Sequence, residues 1–94
     1  MFAIAFDLTV ADAEAHHPKG FQAAYLDIAR TLAKHGFERI QGSVYKNTSD
    51  DMADLMSAIL ALKAMAWFPV AVRDVRGFRV ESWSDFTALV KGKI

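Results

Sequence analysis

The sequence predicts a single small α+β domain, residues 1–94, in which helices pack against one antiparallel sheet. Its length of 94 residues fits one domain. Its hydrophobic content of 53% suits a packed core and argues against disorder. Segments of strand and helix periodicity follow one another in the order strand, helix, hairpin, helix, strand, short helix.

Residues 1–8 form the first predicted strand because large and small side chains alternate along them. The large side chains share one face, which should meet the helices: Phe2, Ile4, Phe6 and Leu8. The other face is small and carries one carboxylate: Ala3, Ala5 and Asp7. A solvated sheet face normally carries polar side chains. We therefore expect a second surface to pack against the alanine face.

The next segments predict a loop, a helix and a hairpin. Residues 9–17 are predicted as a polar loop, and Pro18 suits the start of a helix. The helix has an apolar stripe and ends near Gly36: Phe21, Ala24, Tyr25, Ile28 and Leu32. Two short strands, 37–40 and 43–46, flank a tight turn at Gln41-Gly42.

The second half predicts a helix, a strand and a short last helix. Thr48 or Ser49 is the expected cap of the second helix. Its expected buried stripe is Met52, Leu55, Ile59, Leu62 and Ala66. Pro69 ends helical structure, with Trp67 and Phe68 assigned to the core. Residues 70–81 are predicted as a strand with a bulge or break near Gly77, where the alternation slips. Ser84 suits the cap of a helix over 85–90.

The order βαββαβ is the split βαβ, or ferredoxin-like, arrangement. Its sheet order of 4-1-3-2 makes the first strand central, with the fourth strand antiparallel beside it, so Asp74 should lie close to Asp7. We also expect strand 3 to run parallel to strand 1. That direction would separate Ser43 from Asp7 by about six residues of strand, on the order of 20 Å. Ser43 would then reach Asp7 only through a partner chain, or serve a structural turn.

Composition excludes several classes of function. Eleven basic and eleven acidic residues give a net charge of zero, which disfavours capture of nucleic acid by the whole surface but not by a local basic patch. The chain has no cysteine, hence no disulfide or thiolate metal site. No segment has the length of a membrane span or the pattern of a signal peptide, so we expect a cytoplasmic protein.

Asp7 is the main candidate for chemistry. A carboxylate on an apolar central strand is costly to bury unless it is paired, protonated or bound to a cation. With Asp74 beside it, the pair could hold a divalent cation such as Mg²⁺ or share a proton. The alternatives are that Asp7 caps the following loop and that Asp74 pairs with Arg73 or Arg76. If two copies pack through the alanine face, the two Asp7 carboxylates of the homodimer approach each other.

Several basic residues suit the phosphates of a nucleic acid: Arg73 and Arg76 on the last strand, and Arg39 and Lys46 on the hairpin. The alternative is a solvated face that balances the acids. Adjacent histidines at 16 and 17 present both rings to one ion with difficulty, so a metal site built on them is disfavoured. Ser43 has no evident base beside it and makes a weak nucleophile.

Five blocks of the chain have a familiar order and spacing: residues 3–8, 36–38, 41–45, 72–81 and 84–87. The most specific are Ala-Ile-Ala-Phe-Asp-Leu at 3–8 and Gln-Gly-Ser-Val-Tyr at 41–45. Together they resemble the VapD (virulence-associated protein D) family over nearly the whole chain. Segment 9–19 departs from the lysine-rich loops of that family.

The resemblance implies a bacterial endoribonuclease, often the toxin of a toxin–antitoxin pair. It also implies a homodimer with a ferredoxin-like fold similar to small CRISPR-associated nucleases. Asp7 matches the strand-one carboxylate of the family, Ser43 matches the serine of its hairpin block, and Asp74 falls in its fourth-strand block.

These observations predict cleavage of single-stranded RNA at a dimer interface. Asp7 would take a proton from the 2′-hydroxyl or hold a cation, and Arg73 or Arg76 would stabilise the developing charge. The alternative is a non-catalytic dimer that binds nucleic acid or an antitoxin, or that serves assembly. A small-molecule sensor is a third class, but the sequence has no ligand motif for it.

Overall fold

The computed structural model describes residues 1–93. Its elements are β1 (Phe2–Leu8), α1 (Val10–His16), α2 (Gly20–Ala33), β2 (Glu38–Gln41), β3 (Val44–Asn47), α3 (Met52–Ala64), α4 (Phe68–Ala71), β4 (Val72–Arg79) and α5 (Thr87–Val90). The four strands form one sheet in the order β2-β3-β1-β4, and all neighbouring strands are antiparallel. The predicted α+β class and the central position of β1 are confirmed. The arrangement is compatible with a ferredoxin-like fold.

The core lies between one face of the sheet and helices α2 and α3, and we call this side the helix-covered face. All four large side chains of β1 are buried there, as the alternation predicts. They meet Ala24, Ile28 and Leu32 of α2 and Leu55, Ala58 and Leu62 of α3. Complete burial of one such side chain stabilises the fold by roughly 1.5–3 kcal/mol.

The prediction of a loop over residues 9–17 is wrong, because Val10–His16 forms α1. Ala13 is its one buried residue, so the segment lacks the apolar stripe that identifies a helix from sequence. Tertiary contacts hold α1 in place instead. The Thr9 N–H donates to the Ala71 carbonyl at 2.8 Å. His17 accepts from the Lys19 N–H through Nδ1 and donates through Nε2 to Asp27 at 2.6 Å.

Helix α3 begins later than predicted. Asp51, rather than Thr48 or Ser49, is its N-cap, and its carboxylate accepts from the Ala53 N–H at 2.9 Å. Met52 is therefore in the first turn on the solvent side, where it is exposed. Ala66 lies beyond the helix and is also exposed. Trp67 and Phe68 belong to the core as predicted, with ring centroids 5.7 Å apart.

Strand β4 is shorter than predicted, because residues 68–71 form α4 first. Gly77 marks no break: it pairs in regular register with Ile4. The register instead shifts where Asp7 pairs with Asp74 and Leu8 with Val72, which leaves Arg73 as an extra residue on β4. Gly77 lies close to α3. A Cβ there would lie 3.0 Å from Leu55 Cδ1 of α3.

The last segment, residues 80–93, is here called the C-terminal arm. Helix α5 covers only Thr87–Val90, and none of its residues is buried. It begins after Asp85, whose carboxylate accepts from the Thr87 N–H at 2.9 Å, and not at the predicted Ser84 cap. Large apolar side chains of the arm are exposed, with Phe86 at 63% and Val90 at 81%. The radius of gyration is 14.4 Å, whereas a compact domain of this length has roughly 12–13 Å. Among residues 1–93, no helix is long and apolar enough to cross a lipid bilayer.

Candidate nucleic-acid interface

Asp7 and Asp74 lie directly opposite each other on β1 and β4, as the topology predicts. Their side chains are 59% and 48% exposed, respectively. They point away from the helices, on the side of the sheet that we call the open face. In one chain, therefore, neither carboxylate is buried, and the expected cost of burying Asp7 does not arise.

Two arginines pair with these carboxylates. Arg73 Nη1 lies 3.5 Å from Asp7 Oδ2. Arg76 Nε donates to both oxygens of Asp74, at 3.2 and 3.1 Å, and this contact raises the pKa of Arg76 above its usual value. The extra residue at 73 explains how Arg73 reaches Asp7, because a bulge redirects a side chain that would otherwise alternate. We call these four residues the Asp7 cluster.

The expected separation of Ser43 from Asp7 is wrong. Strand β3 is antiparallel to β1, with Ala5 opposite Val44. The Phe6 N–H donates to the Ser43 carbonyl at 3.1 Å, so Ser43 and Asp7 lie at the same end of the sheet within one chain. The reason is topological. Helix α2 returns the chain to the starting edge of the sheet, so β2 is parallel to β1. The hairpin then makes β3 antiparallel to both strands.

The two basic residues on the hairpin do not join the Asp7 cluster. Arg39 Nε donates to the Gly42 carbonyl at 2.7 Å, and Lys46 Nζ lies 3.2 Å from Glu38 Oε1. Lys46 pairs with Ala3, four residues before Asp7, on the order of 13 Å along β1. Of the predicted RNA-binding residues, the structure brings only Arg73 and Arg76 beside Asp7.

The open face is partly covered by this chain's own C-terminal arm, which the sequence did not indicate. A cavity of about 650 Å³ separates the arm from the hairpin, and it is lined by Ile40, Gln41, Lys46, Trp83, Phe86 and Val90. Ala3 shares the face of Lys46 and is fully buried, whereas Ala5 is half-buried. The arm therefore lies over the part of the open face near Lys46, where a covering surface was predicted, and the Asp7 end remains accessible.

Residues 1–93 contain no group of three or more His, Asp or Glu side chains arranged to hold a metal ion. His17 Nε2 lies 2.6 Å from Asp27 Oδ2. Asp7 and Asp74 are two carboxylates, each already facing a guanidinium. In a single chain, the site therefore consists of two carboxylates, each paired with one guanidinium.

An antiparallel α+β sheet that ends in two carboxylates and two guanidiniums has the groups of a phosphate-binding protein with acid–base capacity. The chain is 62% identical over 91 residues to a protein named Endoribonuclease VapD homolog from Neisseria gonorrhoeae, covering 97% of this chain and 99% of that protein. It is 55% identical over 91 residues to Endoribonuclease VapD of Haemophilus influenzae, with the same two coverages. The protein of the same name from Dichelobacter nodosus is 48% identical over 92 residues, 98% of this chain and 99% of that protein.

The chain belongs to the VapD family, and the resemblance noted from its sequence blocks is confirmed. A scan against models of protein families finds no match.

Proposed function

We propose that this protein is an endoribonuclease that cleaves single-stranded RNA at the Asp7 end of its sheet. The observation that carries the proposal is the cross-strand pair of Asp7 and Asp74, each held by an arginine on an exposed surface. The printed names of its relatives support the enzyme class and the RNA substrate. Single-stranded RNA fits because an exposed, shallow site can contact an unpaired backbone.

The proposed reaction needs a base and a source of positive charge. The 2′-hydroxyl attacks the adjacent phosphorus while Asp7 accepts its proton. The bond from phosphorus to the 5′-oxygen breaks, and water protonates the leaving oxygen. Arg73 and Arg76 face the charge that develops on the phosphate oxygens. Asp74 holds the Arg76 guanidinium in place through its two contacts.

A metal-assisted route was the other prediction for Asp7. Mg²⁺ is usually held by one or two carboxylates together with substrate phosphates. Here each carboxylate faces a guanidinium at 3.1–3.5 Å, so a cation would have to displace two ion pairs. Because the residues as arranged in one chain do not fit the ion, we derive no step through it.

Ser43 is proposed to position the RNA rather than to attack it. Its backbone joins the hairpin to β1 beside Asp7, and within residues 1–93 no side chain accepts a proton from its hydroxyl. Arg39 and Lys46 are proposed to bind the RNA further along the strand, since they lie on the hairpin next to this end of the sheet. For Lys46 the expected contact is a phosphate.

The proposal includes a homodimer of ferredoxin-like chains, similar to the small CRISPR-associated nucleases. Exposed apolar residues on β4 and the arm support it: Phe78, Trp83, Phe86 and Val90. It further includes a role as the toxin of a toxin–antitoxin pair in the cytoplasm, where an antitoxin protein would block access of RNA to the Asp7 cluster.

Asp7→Asn tests the proposed chemistry, with Asp12→Asn of α1 as the matched control. Loss of the base should slow cleavage of a labelled single-stranded RNA by roughly 10²–10⁴-fold, whereas Asp12→Asn should cleave like the wild type. Thermal melts should coincide, because Asp7 is exposed. Equal cleavage by wild type and Asp7→Asn would refute the mechanism. Loss of wild-type cleavage in chelator, restored by Mg²⁺, would assign the reaction to the metal route instead.

The alternative function is a non-catalytic dimer that binds nucleic acid or an antitoxin. The ion pairing of both carboxylates favours it, since each carboxylate already has a guanidinium as its partner. Retained RNA binding with no cleavage by wild type, in buffer with or without Mg²⁺, would establish this alternative.

A further inference from the structure

A second cavity lies at the Asp7 end of the sheet, on the helix-covered face. It separates α2 from the β2–β3 hairpin and has a volume of about 370 Å³. We call it the hairpin cavity, and its lining includes Gln22, Tyr25, Leu26, Arg39, Ser43 and Tyr45. Tyr25 belongs to the apolar stripe of the helix and is partly buried against the core, whereas Gln22 is exposed. Only the approach of α2 to the hairpin brings these two side chains to Ser43.

The hairpin cavity holds polar groups without protein partners. Tyr45 is 4% exposed, yet within residues 1–93 its hydroxyl makes no hydrogen bond. Arg39 lies opposite Tyr45 in the pairing of β2 with β3. Burial raises the pKa of Tyr45, and the positive charge of Arg39 opposes that rise. Tyr25 and Gln22 likewise form no side-chain hydrogen bond in the described part of the chain. These groups line the cavity and remain available to bond to water or to a polar ligand.

Arg39 is fixed at the rim of the hairpin cavity. Its Nε donates to the Gly42 carbonyl at 2.7 Å, and this is its only hydrogen bond within residues 1–93. The Nη groups therefore remain as donors at the position where the hairpin turns. The remaining wall is apolar or aromatic, being formed by Tyr25, Leu26 and Ala29 of α2. One cation beside an aromatic wall suits a flat ring with polar edges better than a bare phosphate.

The hairpin cavity adjoins the proposed cleavage site through Ser43. The Ser43 carbonyl accepts from Phe6, and the next residue along β1 is Asp7 on the open face. The Asp7 cluster and the hairpin cavity thus occupy the two faces of the same end of the sheet. An RNA backbone crossing this end at Asp7 could turn one base around the hairpin towards α2.

We propose that the hairpin cavity binds one nucleobase of the RNA, from a nucleotide next to the cleaved bond. The base stacks on Tyr25, and its edge contacts Gln22, the Tyr45 hydroxyl and the Arg39 guanidinium. Proteins read unpaired RNA by this combination of aromatic stacking and hydrogen bonds to base edges. The volume lies within the range of small-ligand sites. The choice of nucleotide rests on the proposed nuclease function, whereas occupancy by a base can be measured without cleavage.

The first test measures binding of each of the four nucleoside 5′-monophosphates to the full chain by NMR chemical-shift changes. Ribose 5-phosphate, which lacks a base, is the control ligand. We expect at least one nucleotide to bind at the hairpin cavity and ribose 5-phosphate to bind at least tenfold more weakly. Gln22→Ala and Tyr45→Phe should each weaken nucleotide binding about tenfold. Gln41→Ala, the same change on the other side of the hairpin, should not. Equal binding of ribose 5-phosphate, or equal effects of Gln22→Ala and Gln41→Ala, would overturn the proposal.

The second test maps cleaved ends in an RNA of mixed sequence. Gln22→Ala should raise KM and change the base found beside the cut, with kcat less affected. Nucleotide binding by Asp7→Asn, or by a wild type that cleaves nothing, would support the hairpin cavity even if the nuclease function fails. If the wild type cleaves RNA but binds no nucleotide, and Gln22→Ala leaves the base preference unchanged, the proposed base-binding role of the hairpin cavity is refuted and the nuclease function stands. Tyr45→Phe keeps the buried ring, and Gln22 is exposed, so both variants should fold.

Discussion

The two faces of β1 differ in burial and in charge. Towards the helices, Phe2, Ile4, Phe6 and Leu8 are at most 6% exposed. Towards the open face, the strand ends in Asp7, whose side chain is 59% exposed and faces Arg73. One face therefore supplies stability through close packing, and the other presents charge at an accessible position.

This difference shows how a small domain places chemistry without weakening its core. Charges on the open face keep their hydration, so they avoid the penalty of burial. Their geometry is still fixed, because the same backbone that carries them is anchored by the side chains on its other face. Changes on the two faces should consequently have separable effects on the free energy of unfolding and on function.

The largest effect on stability is expected at Ile4. Ile4→Ala removes a side chain with no exposure and should lower the free energy of unfolding by about 2–5 kcal/mol. Asp7→Ala, on the other face of the same strand, should lower it by less than about 1 kcal/mol, since exposed ion pairs contribute little. Urea unfolding of both variants measures the difference. Similar losses would contradict the division between the two faces.

A somewhat smaller effect is expected at the surface that would form the proposed homodimer. Phe86 is 63% exposed on the C-terminal arm, and a buried phenylalanine contributes roughly 1.5–3 kcal/mol. Phe86→Asp should therefore weaken the proposed homodimer by about 10- to 100-fold, as measured by light scattering over a dilution series. The unfolding of the monomer should not change. A wild type that remains monomeric at all concentrations would remove the dimer from the proposal.

Gly77→Ala tests the close approach of α3 to β4. The added Cβ would meet Leu55 at 3.0 Å, and such overpacking costs about 1–3 kcal/mol. In the double variant with Leu55→Ala, the cost of the alanine at 77 should largely disappear, because its steric partner is gone. Thermodynamic cycles from chemical denaturation give this coupling. Additive losses would show that the glycine is needed for another reason.

The smallest effect is a dependence of stability on alkaline pH. Burial raises the pKa of Tyr45 above its usual value, so the folded state keeps the phenol proton to a higher pH than the unfolded chain does. This group leaves the free energy of unfolding unchanged below about pH 10, and the stability falls as the pH rises through the folded pKa. Tyr45→Phe should reduce this fall, because it removes the titrating phenol. An unchanged fall in Tyr45→Phe would place its origin elsewhere.

Much of the site could be predicted because it depends on alternation and strand order. The position of Asp7 follows from the period of two along β1, and its pairing with Asp74 follows from the order of the sheet. The contacts that the prediction missed depend on neighbours distant in sequence. Most of segment 9–17 forms α1 because this helix packs against α2 and α4. His17, which follows it, contacts Asp27 of α2. Arg73 reaches Asp7 through a bulge that nothing in its own strand marks.

The sequence by itself determined the class of fold, the buried face of β1, the family and the pair of carboxylates. The family follows from the resemblance of the five sequence blocks. The other features depend on periodicity and on the order of the elements, which can be read along the chain. Only the tertiary structure decided that β3 runs antiparallel to β1 and that Ser43 lies at the same end of the sheet as Asp7. It also decided that α2 and the hairpin together line a cavity, with Tyr25 on one side and Tyr45 on the other. Such features arise because packing brings together residues far apart in the chain, and no local pattern encodes which groups will meet.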